Sequence, residues 1–342
     1  MKNIKDYNLD ALKEEFIQMG EKPFRASQII EWLYRHKIES FDEMTNVKKS
    51  FIEELKKDFT LDKFELVTSQ KSFDGTQKFL FRLSDGNLIE TVLMNHDYGY
   101  SVCVTTEVGC NMGCMFCASG MKKKLRNLEA SEIVLQVLTV SKLAEVRVSH
   151  VVVMGIGEPF DNYDNVIKFI KILNYPLGLE IGARHITVST CGLVEKIREY
   201  SDFDLQVNLA ISLHAPNNDI RNQIMPINRA YPIEELIEAI EYYIEKTNRR
   251  VTIEYILIKD LNDTKECANE LADLLHGLNV YVNLIPYNEV KEKPFKRSSK
   301  DSMVAFFDVL KKRRINVQLR KEQGGDIDAA CGQLRSKHMN NN

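Results

Sequence analysis

An α/β fold, with a parallel sheet and helices packed outside it, is what this sequence predicts. Two features carry the expectation. Between residues 102 and 320, short runs rich in Val and Ile alternate with stretches whose apolar residues recur at helical spacing. The last run, Ile315-Asn-Val-Gln-Leu-Arg320, alternates apolar and polar strictly, as a half-buried strand does. Such βα repetition leads to an open sheet or to a full or partial barrel. Either one gathers functional residues in the loops after the strands' C-terminal ends.

Residues 1–75 precede this pattern and read as a small, mostly helical unit. Phe24, Ile29, Ile30, Trp32, Leu33 and Tyr34 supply its apolar surface, and Phe51, Ile52 and Leu55 fall at helical spacing. Its acids and bases nearly balance, which by itself describes a structural or interaction module. From Gln77 the period changes. Residues 79–83, a turn at Asp85-Gly86 and residues 88–93 form a hairpin inside a linking region, 76–100. A third unit, 101–342, opens with a strand over 102–106 and continues into a helix marked by Ile133, Val134, Val137 and Leu138. A buried strand at 150–154 and a helix carrying Val166, Phe169, Ile170 and Leu173 follow. Strands at 186–189, 207–213, 251–257 and 280–284, with helices at 233–244, 268–275 and 303–310, lead to the final strand at 315–320.

With 342 residues and 44% hydrophobic content, the chain can bury a sizeable core. No N-terminal apolar signal and no bilayer-length apolar run stands in the sequence, so a membrane location is not expected. Seven cysteines, an odd number, argue against a secreted disulfide framework and for a reducing cytoplasm. A net charge of −3 means that any nucleic-acid contact must come from local patches. Three basic runs qualify: Lys122, Lys123, Lys124 and Arg126; the stretch with Lys293, Lys296 and Arg297; and Lys311, Lys312, Arg313 and Arg314. Each also fits a solvated face, but the first directly follows the most informative motif in the chain.

That motif is Cys110-Asn-Met-Gly-Cys114-Met-Phe-Cys117, three thiols in the pattern C-x3-C-x2-C. A four-iron cubane needs four outside donors, and three cysteines leave one iron open for a small chelator. The amino and carboxylate groups of S-adenosylmethionine suit that iron, and electron transfer into the bound sulfonium releases a 5′-deoxyadenosyl radical, chemistry that belongs to the cofactor. The competing reading is structural zinc, which ordinarily uses two paired ligand clusters, and no second C-x2-C or H-x3-H occurs here.

Other residues fall where a sheet of this kind would converge them. Met154-Gly-Ile-Gly-Glu-Pro159 follows a strand, its glycines permit close approach of a ligand, and Glu158 can accept from an ammonium group. Ser189-Thr190, Ser212-Leu-His214 and Pro286-Tyr-Asn288 each end a strand, although each also fits an ordinary cap or turn. Cys103 and Cys331 lie outside the cluster motif, and Cys191 and Cys267 fit small buried hydrophobes.

Taken together, the cysteine motif, Met154–Pro159, Ser212-Leu-His-Ala-Pro216, Met225-Pro-Ile-Asn228 and Asp326-Ile-Asp-Ala-Ala-Cys-Gly-Gln-Leu334 resemble the RlmN family of radical S-adenosylmethionine enzymes over nearly the whole chain. The resemblance implies a partial (βα)6 barrel with a small N-terminal helical domain that assists RNA binding. It implies methylation of adenine carbon 2 in 23S rRNA and tRNA, with two S-adenosylmethionine molecules used per turnover. Cys110, Cys114 and Cys117 then correspond to the ligands of a [4Fe-4S] cluster. Gly157, Glu158, Ser189, Ser212, Leu213, His214 and Asn288 correspond to S-adenosylmethionine contacts. Cys331 matches the methyl-carrying cysteine, Cys103 the cysteine that resolves the RNA adduct by forming a disulfide with it, and Glu90 the base. Without the family, Glu90 reads as a solvent-facing strand carboxylate. A monomer served by an electron donor such as flavodoxin or ferredoxin is expected. The alternative is the Cfr branch, which methylates carbon 8 of the same ribosomal adenosine and shares these cysteines.

Overall fold

The computed structural model describes residues 1–328 and 332–335. The N-terminal stretch holds helices α1 (Leu9–Gln18), α2 (Phe24–Ile30) and α3 (Lys49–Asp58), with a π-helical segment over Glu31–Arg35. Two short parallel strands, β1 (Lys2–Asn3) and β2 (Phe59–Thr60), tie its two ends together. Its core is aromatic: Phe16 meets Phe51 edge-on at 5.1 Å, and both are buried.

A ten-stranded sheet dominates the described residues. Its antiparallel part is β3 (Glu65–Lys71), β4 (Gln77–Arg82) and β5 (Leu88–His96), and β5 pairs antiparallel with β6 (Gly99–Cys103). A separate two-stranded ladder, β7 (Glu107–Val108) with β8 (Arg126–Asn127), closes the base of the cysteine loop. From β6 onward the sheet is parallel through β9 (Val148–Val153), β10 (Ile186–Thr190), β11 (Asn208–Ser212), β12 (Val251–Leu257), β13 (Val280–Pro286) and β14 (Val317–Leu319). The crossovers are α4 (Ala130–Leu143), α5 (Tyr163–Asn174), α6 (Val194–Tyr200), α7 (Asn218–Ile224) with α8 (Ile233–Thr247), α9 (Lys265–Leu274) and α10 (Lys300–Lys312). Among the described residues these are six βα units closed off by β14. Because β14 and β3 form the two edges of the sheet, the barrel is partial, as expected.

The local sequence explains the elements. On β9 and β10, Val151, Val153, Ile186 and Val188 are buried beneath the helices, while Val152, Thr187 and Ser189 on the other face are only half-buried. That alternation leaves the concave side of the barrel open to a ligand. Helix starts are capped by side chains: Thr264 accepts from the Cys267 N–H, Ser299 from Ser302 and Asn217 from Ile220. The Thr264 cap starts α9 at Lys265, ahead of the apolar residues that mark its buried face.

Three features differ from what periodicity predicts. Glu65–Lys71, inside the stretch read as the N-terminal helical unit, is a strand of the large sheet. The 76–100 hairpin is likewise part of that sheet rather than a link between units. The final strand is confined to Val317–Leu319, with Gln318 and Leu319 exposed, because an edge strand has a neighbour on one side only.

Candidate active site

The cysteine loop runs from β7 to β8 over the C-terminal end of the barrel. Its shape depends on Gly109 (φ +88°), where an added Cβ would stand 2.2 Å from the Lys123 carbonyl oxygen. The Cys110 N–H donates to the Lys122 carbonyl at 3.0 Å and Met115 N–H to the Ile224 carbonyl at 2.8 Å, which bracket the loop between β8 and α7. Cys110, Cys114 and Cys117 all line one cavity of about 310 Å³. Burial pushes the Cys110 thiol up to about 12 and raises Cys114 further, so both are protonated until a metal displaces the proton. Among the described residues, no three His, Cys, Asp or Glu side chains converge tightly enough to chelate a single ion. Three thiols spread around one cavity suit a multi-atom cluster better than a zinc ion, and the donor set fits a [4Fe-4S] group.

The opposite wall comes from the strand ends. Gly157, Glu158, Ser189, Ser212, His214 and Asn288 line the same cavity. Leu213 does not: it is fully buried in the core beneath the helices, since neighbouring residues at a strand end face opposite ways. Gly157 has φ +112°, and a Cβ there would come within 2.7 Å of Glu107 and of Thr106. Glu158 is buried, with one oxygen accepting from Phe160 N–H at 3.0 Å and the other from Cys191 N–H at 2.8 Å. Burial raises its pKa, against the lowering effect of those bonds. The Nδ1 of His214 accepts from Ile256 N–H at 3.1 Å, leaving Nε2 as the protonated nitrogen. Burial, and then the Arg221 guanidinium, pull this imidazole down to about 3, so it is neutral at physiological pH.

Glu90 is not solvent-facing. It is buried, and its Oε2 lies 2.8 Å from the Lys78 ammonium and accepts from Gly332 N–H at 2.7 Å. Its Oε1 accepts from Arg335 N–H. The strand pattern hid this because the covering residues come from the far end of the chain. Cys103 is buried and lines an adjoining cavity of about 170 Å³ with Val152, Met154, Asn288 and Arg320. Cys331 lies outside the described residues.

Sequence reasoning missed several contributors. Glu107, directly after Thr106, accepts from the Glu158 N–H at 3.1 Å and from the Lys124 ammonium at 3.1 Å, and so holds the glycine loop in place. Burial pushes its carboxyl up to about 7. Glu254 is a buried carboxylate on the cavity wall, held by the Asn283 amide at 2.8 Å. An acidic residue inside an apolar strand was the available signal for it. The basic run also changes meaning. Lys124 pairs with Glu107 and Asp161, and Arg126 with Asp85 and Glu132, which leaves Lys122 and Lys123 as its exposed members.

Comparison with known proteins identifies this arrangement. The radical SAM superfamily model matches residues 104–275, and the model of the ribosomal RNA large subunit methyltransferase N-terminal domain matches residues 2–61. The chain is 59% identical over 336 residues to a probable dual-specificity RNA methyltransferase RlmN of Acholeplasma laidlawii, covering 98% of this chain and 99% of that protein. It is 57% identical over 341 residues to the Spiroplasma citri protein of the same description, covering 99% and 98%. The chain belongs to the RlmN family. A crystal structure of a radical SAM methyltransferase from Sphaerobacter thermophilus superposes with a TM-score of 0.92 at 43% identity, covering 97% of this chain and 99% of that one. The Cfr branch is not favoured by these relatives. Radical SAM membership brings with it a [4Fe-4S] cluster and S-adenosylmethionine, and the RlmN N-terminal match ends at residue 61, just before β3 begins.

Proposed function

We propose that this chain methylates carbon 2 of an adenosine in 23S rRNA and in tRNA, using two S-adenosylmethionine molecules per turnover. The observation that supports it best is the single cavity onto which the three cysteines and six strand-end residues open. Cys110, Cys114 and Cys117 would hold the cluster. Glu158, fixed by two backbone N–H groups, would accept from the amino group of S-adenosylmethionine beside Gly157. Ser189, Ser212, His214 and Asn288 would make its remaining polar contacts, with Leu213 contributing backbone only. Cluster and cofactor together supply a methyl donor and a carbon radical.

The chain's own residues do the rest. Adenine carbon 2 lies between two ring nitrogens and is too electron-poor to attack a sulfonium methyl, so the methyl passes first to the Cys331 sulfur. Once that carbon is joined to the base, Glu90 takes the carbon-2 proton. Cys103 then attacks the Cys331 sulfur, releasing methylated RNA and leaving a Cys103–Cys331 disulfide. Three N–H donors now occupy the Glu90 carboxylate, so residues 332–335 must lift before it can act as a base. The N-terminal helical unit, with the exposed Lys122 and Lys123, is read as the RNA-docking surface. A monomer in the cytoplasm, reduced by a flavodoxin or ferredoxin, completes the reading.

The test is mass spectrometry of RNA nucleosides from a strain lacking the gene. 2-Methyladenosine should disappear and return with a plasmid copy, whereas the Cys103→Ala copy should accumulate protein crosslinked to RNA. Persistence of 2-methyladenosine in the deletion strain would refute the assignment, and a methyl at carbon 8 would move the chain to the Cfr branch.

A further inference from the structure

Arg221, on α7, is the bulkiest of the completely buried side chains. Its Nε donates to the Leu213 carbonyl at 3.1 Å and its Nη2 to the Cys191 carbonyl at 2.7 Å. Its Nη1 donates to Asn228 Oδ1 at 2.8 Å and to the Tyr231 carbonyl at 3.4 Å. All four acceptors are uncharged, and among the described residues no carboxylate forms an ion pair with it. Burial lowers its pKa only to about 10, so it remains a cation at neutral pH. A buried charge without a counter-ion is strongly unfavourable, and folds that keep one ordinarily supply the opposite charge.

The surroundings indicate where that opposite charge arises. Cys191, whose carbonyl Arg221 holds, packs with Ile224 and Met225 against Met112, Cys114 and Phe116 of the cysteine loop. Ile224, one turn beyond Arg221, accepts from the Met115 N–H. The guanidinium lies close enough to act electrostatically on Cys114. With metal bound, the three cysteines are thiolates, and the cluster they hold carries net negative charge that grows by one unit on reduction.

We propose that Arg221 is the buried counter-charge of the iron–sulfur cluster: a positioning residue that ties the Cys191 and Ser212–His214 loops to the cysteine loop and raises the cluster's reduction potential. This rests on the reading of Cys110, Cys114 and Cys117 as cluster ligands. Four hydrogen bonds alone would describe a structural staple. The fixed positive charge adds a preference for the reduced state, which a staple does not.

The test is an EPR-monitored redox titration of the anaerobically reconstituted full chain without S-adenosylmethionine, with iron content measured on each sample. Arg221→Met removes the charge. Asn228→Asp leaves Arg221 in place, keeps its hydrogen bond and neutralises it with a carboxylate of the same shape. Both should lower the reduced-to-oxidised ratio at a fixed poise at least tenfold, equivalent to about 59 mV for a one-electron couple. Arg221→Lys should retain most of the native value. If Asn228→Asp at full iron content keeps the native potential, Arg221 is only a staple and the proposal falls, whether or not Arg221→Met assembles a cluster. If the native chain holds no four-iron cluster, or holds one without the three cysteines, the ligand assignment itself has failed, and the proposal fails with it.

Discussion

Lys78 and Glu90 face each other diagonally across β4 and β5 with both side chains removed from water, and the carboxylate also receives two backbone N–H groups. Lys78 in turn donates to the Asp328 carbonyl at 2.6 Å. Removing one member of such a pair leaves a buried charge uncompensated. Lys78→Met should therefore destabilise the fold by roughly 3–5 kcal/mol, and the double variant with Glu90→Gln should recover part of that loss in urea unfolding. His214 sets a second expectation. Its folded pKa, near 3, lies below the ordinary histidine value, so the fold favours the neutral ring. The stability it contributes is present above about pH 6.5 and is lost as the pH falls towards 3. His214→Gln should lose less stability than the native chain between pH 7 and pH 4, and an identical loss would mean that other groups govern the acid limb. Residues at this scale were legible where their signal is local. The three cysteines announce themselves within eight positions, but the burial of Glu90 depends on residues more than two hundred positions away, and that of Arg221 on four separate loops.

Strand and helix order was largely readable from periodicity, because each parallel strand packs its Val and Ile residues under a helix of matching amphipathic pattern. What periodicity could not supply was the partner of each edge. Glu65–Lys71 is mostly exposed and polar, and it becomes a strand because β4 offers it an unpaired edge. The loop after β9 shows the same dependence on neighbours. The Met154–Pro159 pattern was visible in the sequence, yet its need for glycine comes from Thr106 and Glu107, which stand within 2.7 Å of any Cβ at position 157. Gly157→Ala combines that collision with an unfavourable positive φ. It should weaken S-adenosylmethionine binding at least tenfold in equilibrium dialysis, while iron content stays at the native level because the cysteine loop is braced separately by α7 and β8. Unchanged binding would place the cofactor away from this loop.

Across the whole molecule, the antiparallel strands β3–β5 and the turn between β3 and β4 form a clamp on the C-terminal stretch. Gln70 exchanges two hydrogen bonds with Asp328, at 3.0 and 3.1 Å, and Asp74 accepts from the Gly324 N–H at 2.7 Å. Ser72 and the Phe73 N–H hold Asp326, and Lys78 and Glu90 hold Asp328 and residues 332–335. The segment that carries Cys331 in the sequence is thus fixed on both sides by a part of the sheet that a bare βα barrel would not contain. This gives the antiparallel extension a task in the reaction: the tail must be held for its cysteine to receive a methyl group, and released for Glu90 to act. The anchoring bonds are partly exposed and are worth roughly 1 kcal/mol each, so losing three of them should make local opening about a hundredfold more frequent. In the Gln70→Ala/Asp74→Ala double variant, limited trypsin digestion after Arg320 or Lys321 should accelerate by that order while the barrel stays resistant and the iron content holds. The yield of methylated RNA should fall in parallel, because every turnover passes through the anchored tail. Native cleavage rates in that variant would show that the clamp is not what holds the tail, and native methylation despite faster cleavage would separate anchoring from catalysis.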